Sequence, residues 1–126
     1  MEEVILKLKF KSIGVVINPP DLFVEAFQEL GFKTAFGKDV QSQYTLVFVK
    51  NKVEFLNFLS KQLANIQYDS VLWFAYPKGT SKIKTDINRD ILRLTAEGFG
   101  MTTVAAISID ATWSALRFRP IDRVGK

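Results

Sequence analysis

The stretch "LWFAYPKGTSKIKTDINRD", residues 72 to 90, sets lysines and small hydroxyl residues directly behind an apolar run. Lys78, Gly79, Thr80, Ser81 and Lys82, followed by Thr85 and Asp86, gather backbone N–H groups, hydroxyls and ammonium groups in one loop. Groups of this kind suit phosphate or carboxylate oxygens, above all just ahead of a helix amino terminus, where the peptide dipoles attract negative charge. Five cations (Lys78, Lys82, Lys84, Arg89, Arg93) face two anions (Asp86, Asp90) between positions 78 and 93, so the local balance is basic. The alternative is structural: Gly79 makes a turn, Thr80, Ser81 and Thr85 satisfy backbone groups, and the lysines face water. "KGTSK" lacks the spacing of a Walker phosphate loop.

A second constellation is Asp110, Trp113 and Arg117. Asp110 ends one predicted strand, and Trp113, Arg117 and Arg119 alternate along the next, which puts them on one face. A binding role would have Trp113 stack a ring while an arginine grips an acid. In the structural alternative Trp113 is core and the arginines pair with Asp110 or Asp122.

Composition removes much chemistry. The 126 residues contain neither histidine nor cysteine. That excludes the usual general base, thiolate zinc sites, disulfides and every Ser-His or Cys-His nucleophile pair. An apolar share of 48% with sixteen aromatics, eleven of them Phe, is enough to enclose one core, and one domain over residues 1–126 is expected. The acidic start "MEEVILKLKF" does not read as a secretory signal, which makes a cytoplasmic location the expectation. No apolar run approaches the roughly 20 residues of a membrane span, so no membrane partner is expected. The net charge of +4 would suit a polyanion.

The elements that must position these residues follow from periodicity. "IGVVI" (13–17), "YTLVFVK" (44–50) and "SVLWFAYP" (70–77) are short apolar runs without alternation, the pattern of strands buried on both faces. Helices are predicted after each: one through "DLFVEAFQEL", with Phe23, Phe27 and Leu30 on one face and Gly31 as a left-handed cap; one through "KVEFLNFLSKQLAN", opened by Asn51 and Glu54 at capping-box spacing; and one carrying Ile87, Ile91 and Leu94, capped by Asp86 or Asn88 and ended by Gly98. "TTVAAISI" and "WSALRFRP" are joined by little more than "DAT", which requires an antiparallel hairpin. "TAF" (34–36) fits a short strand, and "VILKLKF" fits a strand or a short helix. The expectation is an α/β, three-layer Rossmann-like domain, mostly parallel, with a C-terminal antiparallel hairpin. In such sheets ligands sit beyond the carboxyl ends of the strands, an edge that here carries Asn18 to Asp21, Lys50 to Asn51 and Lys78 to Asp86.

"LWFAYPKGTSKIKTD" together with "SIDATWSALRFRP" resembles an uncharacterised bacterial family known only as a domain of unknown function. Tyr76 to Lys82, Thr85, Asp86, Arg89, Asp90, Asp110, Trp113, Ser114, Arg117 and Pro120 look like its matching positions; the resemblance implies no activity. More distantly, the strand order and closing hairpin look like the carboxyl-terminal half of a class I methyltransferase, and "VVINPPD" resembles the Asn-Pro-Pro-aromatic element of the amino-methyltransferases. Asp21 replaces the aromatic, no Gly-x-Gly follows "GVVI", and "GFG" (98–100) follows a helix. The implied scaffold therefore lacks a cofactor pocket, and no cofactor is expected.

The preferred expectation is a noncatalytic domain that binds a small anionic ligand or a protein partner through the 78–86 loop and the Asp110–Trp113 corner. The alternatives are a small enzyme acting on a phosphorylated or carboxylated substrate, with Lys78 or Asp110 as acid-base group and Thr80 or Ser81 positioning substrate, and a degenerate methyltransferase-like protein without cofactor. Nucleic acid is not an expected partner, because the Phe residues fall on predicted buried stripes rather than between cations. Homo-oligomerisation through the edge of the terminal hairpin is a further option.

Overall fold

A computed structural model describes residues 2–125; the single-domain expectation spans 1–126, of which positions 1 and 126 lie outside the described residues. The chain opens with a helix, α1 (Glu2–Lys7), so the "VILK" of "VILKLKF" is helical rather than extended and the chain turns at Leu8 and Lys9. Its Val4 and the following Leu8 are buried, and the Leu8 carbonyl accepts a 2.9 Å hydrogen bond from the indole Nε1 of Trp73. Strand β1 (Val15–Ile17) is shorter than "IGVVI" suggests, and the chain at Lys33 bonds to both sides of Val15: Lys33 N–H reaches the Gly14 carbonyl and Val16 N–H the Lys33 carbonyl. "TAF" forms no strand; Lys33 contributes one isolated bridge to Val15.

Helix α2 (Asp21–Glu29) buries Phe23 and Phe27. It ends where Gly31 takes φ +88°, which lets Phe32 N–H bond the Phe27 carbonyl at 3.0 Å and brings the two rings to 5.3 Å. This is the left-handed ending expected of that glycine. Strand β2 (Ser42–Phe48) leads into α3 (Lys52–Gln62), where the Asn51 side chain accepts from Glu54 N–H at 2.9 Å and the Glu54 carboxylate accepts from Lys50 N–H at 2.8 Å. The reciprocal pair of a capping box is thus present, reaching one residue further back than usual.

Strand β3 (Ile66–Pro77) starts four residues before the apolar run "SVLWFAYP". Asn88 caps α4 (Arg89–Glu97) by accepting from Ile91 N–H. Its buried face is Leu92 and Ala96, with Ile87 from the lead-in; Leu94 is exposed, so the expected stripe of 87, 91 and 94 is rotated around the helix. Gly98 stays right-handed, and it is Gly100, at φ +82°, that turns the chain into β4 (Met101–Ser108). Strand β5 (Trp113–Pro120) completes the sheet.

The sheet order is β1-β2-β3-β5-β4. β1 and β3 each pair with β2 in parallel, whereas β5 pairs antiparallel with both β3 and β4. The expectation of a mostly parallel, Rossmann-like sheet is therefore corrected: the sheet is mixed, with half of its ladders antiparallel. The α4 crossover does return β4 in the direction of β3, but direction does not decide adjacency. β5, held to β4 by a four-residue connection, fills the space between them and converts that interface into two antiparallel ladders.

Two hydrophobic clusters lie on the two faces. One packs α1 and α2 on Val16, Leu46, Phe48, Trp73, Ala75, Trp113 and Ala115. The other packs α3 and α4 on Val47, Leu72, Phe74, Leu116 and Phe118. Among the described residues, no helix is long and apolar enough to cross a membrane.

Candidate functional site

The carboxyl ends of β1, β2 and β3 share one rim, and two side chains of the basic loop fasten it there. Thr85 Oγ1 donates to the Lys50 carbonyl at 2.6 Å and accepts from Ile87 N–H at 3.2 Å. The Asp86 carboxylate accepts from Lys52 N–H at 2.8 Å, at the first residue of α3. Both residues thus tie the approach to α4 onto the start of α3.

Nearer β3 the loop closes on itself. Lys78 N–H donates to the Thr112 carbonyl at 2.7 Å, while the Lys78 carbonyl accepts from Ser81 N–H (3.0 Å) and from Ser81 Oγ (2.7 Å). The Lys78 ammonium reaches Ser108 Oγ at 2.6 Å. Gly79, Thr80, Lys82 and Lys84 are left exposed. The loop and the Asp110–Trp113 corner are therefore neighbours, as the expected site requires.

Within that corner the chemistry is largely committed. Asp110 Oδ1 accepts from Thr112 N–H and Trp113 N–H, both at 2.8 Å, and so builds the β4–β5 turn. Trp113 is buried edge-on against Phe48, with centroids 5.1 Å apart, and presents no ring face to a ligand. Arg117 pairs with Trp73 while Trp113 pairs with Pro77. Four strand residues, roughly 13 Å, separate Arg117 from the corner. It lies outside the cluster that the sequence suggests; its Nε is buried and has no hydrogen-bond partner.

A hollow of about 520 Å³ lies on the same rim, walled by the proline corner (Asn18 to Asp21), Phe48, Lys50 and Glu54. Asn18 takes φ +55° to turn β1 into the two prolines, and no side chain caps α2. Lys50 connects the two regions, since it borders the hollow and its carbonyl holds Thr85. The hollow itself carries Asp21 and Glu54 against the one lysine, a balance that disfavours an anion inside it. The cations lie outside, on the loop.

No protein-family model matches the chain, and no curated protein matches its sequence. What the rim can do is set by its own side chains. Tyr76, half-buried at the end of β3, has its phenol pKa pushed up by burial, with the nearby Arg89 cation and a hydrogen bond to Ser114 acting in the opposite sense. Arg89, exposed as the first residue of α4, continues the run of cations that begins in the loop.

The opposite end of the sheet holds an arrangement that sequence reasoning missed. Arg119 grips Asp69 with a fork, Nε to Oδ1 at 2.9 Å and Nη2 to Oδ2 at 3.1 Å, and Arg123 adds a third bond at 3.4 Å. Asp122 is hydrogen-bonded by the Tyr68 hydroxyl. Arg119 thus pairs with Asp69 rather than with Asp110 or Asp122, and Arg117 pairs with none of the three. The single sequence signal was Ile66, an isolated apolar residue ahead of the polar run "QYDS".

The bond from Arg119 is the main reason that the Asp69 carboxyl is held below the usual carboxylate range, with burial opposing it. A carboxyl whose pKa is depressed by folding adds stability above its unfolded pKa, and that stability is lost as the pH falls through the folded value. Asp69→Asn is therefore expected to unfold at a lower temperature than the parent at neutral pH, with the gap closing as the pH drops below about 4. Asn tolerates the same backbone conformation, so a gap that ignores pH would locate the loss outside the ion pair.

Proposed function

We propose that this protein is a noncatalytic binding domain that engages an anionic group through the 78–86 loop and the adjoining start of α4. One observation carries the reading. Lys50, Lys52, Lys78, Lys82, Lys84 and Arg89 have no carboxylate within ion-pair distance among the described residues, whose ion pairs involve Arg93, Arg119 and Arg123 instead.

On the loop and the start of α4, Lys78, Lys82, Lys84 and Arg89 outnumber Asp86, so the local field is positive and attracts anions before contact, whereas Asp21 and Glu54 offset Lys50 beside the hollow. The loop projects rather than encloses: none of the five cavities described has a wall from residues 78 to 86. A projecting cationic loop suits acidic groups displayed on a protein partner better than a small anion that must be surrounded. The exposed aromatics, Tyr68 and Phe99, lie at the other end of the sheet, so no stacking platform accompanies the cations and a single-stranded nucleic acid fits poorly.

The test uses a polyglutamate peptide and inorganic phosphate as probes, with the double variant Lys82→Glu/Lys84→Glu. Reversing two exposed charges is expected to weaken peptide binding roughly ten-fold at low salt, since each exposed pair is worth up to about 1 kcal/mol. The difference should shrink as ionic strength rises. Both lysines are exposed, so the thermal midpoint should not move. Equal peptide affinity in parent and variant would remove the anion reading; phosphate binding as tightly as the peptide would replace the partner with a small ligand.

A further inference from the structure

Away from the cationic rim, where β3 begins and β5 ends, a second hollow of about 270 Å³ opens between the sheet and the segment joining α4 to β4. Its floor is apolar, with Ile66, Leu72, Met101 and Phe118 among its walls, and Asp69 and Ser70 border it on the polar side. We propose that this hollow is a binding site for a small, uncharged, largely apolar molecule that carries one hydrogen-bonding group.

Three features support that assignment, the first two of them within one irregular segment. First, the ladder is deliberately broken here. Between the pairs Ser42↔Ile66 and Tyr44↔Val71, β2 advances two positions while β3 advances five, so β3 carries three extra residues. Irregularities of this kind cluster where a strand must re-aim side chains beside a site. Second, Asp69 within the extra segment sits at φ +57°, in the left-handed region, and is held there by the Arg119 fork. A strained residue fixed by a strong interaction is a recurrent mark of ligand clamps. Third, the Ser70 hydroxyl is buried and has no hydrogen-bond partner. A buried hydroxyl that is left unmatched forfeits its hydration without compensation, and because Ser70 borders the hollow, a χ1 turn towards it would let a ligand group bond the hydroxyl and recover that loss.

Charge and size fix the ligand class. Asp69 is matched by Arg119 and Arg123, and Asp122 accepts from Tyr68, so the two acids and two arginines cancel. An ion entering the hollow would have to be desolvated with no free counter-charge to meet it. The volume lies just under the roughly 300–1,000 Å³ range of drug-sized sites, which suits a single ring and excludes a nucleotide.

Phenol is the probe, with benzoate and benzylamine as its anionic and cationic counterparts, each titrated into the full chain and followed by amide NMR. Phenol should saturably shift the amides of Ser70, Met101 and Phe118, and both charged analogues should bind at least ten-fold more weakly. Ser70→Ala should weaken phenol about five-fold, the value of one hydrogen bond near 1 kcal/mol. In the absence of phenol, the same variant should melt no lower than the parent, because it removes an unmatched group. Phenol shifts that are absent or scattered overturn the proposal, as do equal binding of benzoate or benzylamine and unchanged affinity in Ser70→Ala. A lower melting temperature for Ser70→Ala also overturns it, because the hydroxyl would then be bonded in the free protein.

Discussion

Phe74→Ala should destabilise the protein by about 3–5 kcal/mol, the cost of removing a large ring from a site that cannot collapse around the gap. Phe74 is fully buried on β3 and meets three rings edge-on: Phe55 at 4.9 Å, Phe58 at 5.3 Å and Phe118 at 5.3 Å between centroids. Two of these come from α3 and one from β5, so a single side chain joins the helical layer to two adjacent strands. Each edge-to-face pair adds about 0.5–1.5 kcal/mol beyond area burial. Domains of this size have about 5–15 kcal/mol in total, so the variant should lose most of its margin or fail to fold. Phe74→Leu, which keeps much of the volume, should survive with a clearly smaller loss. Urea unfolding of the two variants measures the contrast, and a loss below about 1.5 kcal/mol in Phe74→Ala would mean that the cluster repacks.

Gly14→Ala is the second large expected effect, and it reverses the order of importance that the sequence implies. A Cβ at position 14 would stand 2.2 Å from the Tyr44 carbonyl oxygen and 2.8 Å from the Tyr44 Cβ. Both obstacles belong to or adjoin the backbone of β2, and neither can swing aside. β1 would have to move, and it is only three residues long, held by the ladder to β2 and the bridge at Lys33. A loss above about 3 kcal/mol is expected. A Cβ added at Gly79, in the cationic loop, would stand in open space. Gly79→Ala should therefore stay within about 0.5 kcal/mol of the parent. Thermal unfolding of the two variants side by side decides the matter, and similar melting temperatures would show that β1 can yield.

What the sequence made legible was local. Asn51 with Glu54, Asn88, and Gly31 with Phe32 are signals written within four or five residues, and the hydrogen bonds or backbone angles they require are present. What it hid was decided by distant chain. Opposite β2, the neighbour of β3 is β5, which comes later in the chain than β4, and no spacing rule in the α4 crossover distinguishes that arrangement from direct pairing with β4. The start of β3 was hidden for the same reason. "QYDS" reads as loop until Arg119 and Arg123 supply charges that hold it to the sheet. The buried face of α4 was misplaced by one helical step because Ile87 belongs to the lead-in, which displaces the stripe to Leu92 and Ala96. In the candidate site, hydroxyl and carboxylate groups were visible as residue types, but whether Thr85, Asp86 and Asp110 serve the backbone or a ligand depends on which N–H or carbonyl lies within 3 Å.

The position of β5 between β3 and β4 also sets the order of events during synthesis. β5 lies in the interior of the sheet although it follows the other four strands in the chain, so while residues 113–120 are still inside the ribosome, β3 shows a bare hydrogen-bonding edge and β4 has no neighbour. The nascent chain can assemble α1 to β3, but it cannot close the sheet until translation has passed Pro120. Any stall before that point leaves an open template for strand pairing with another chain.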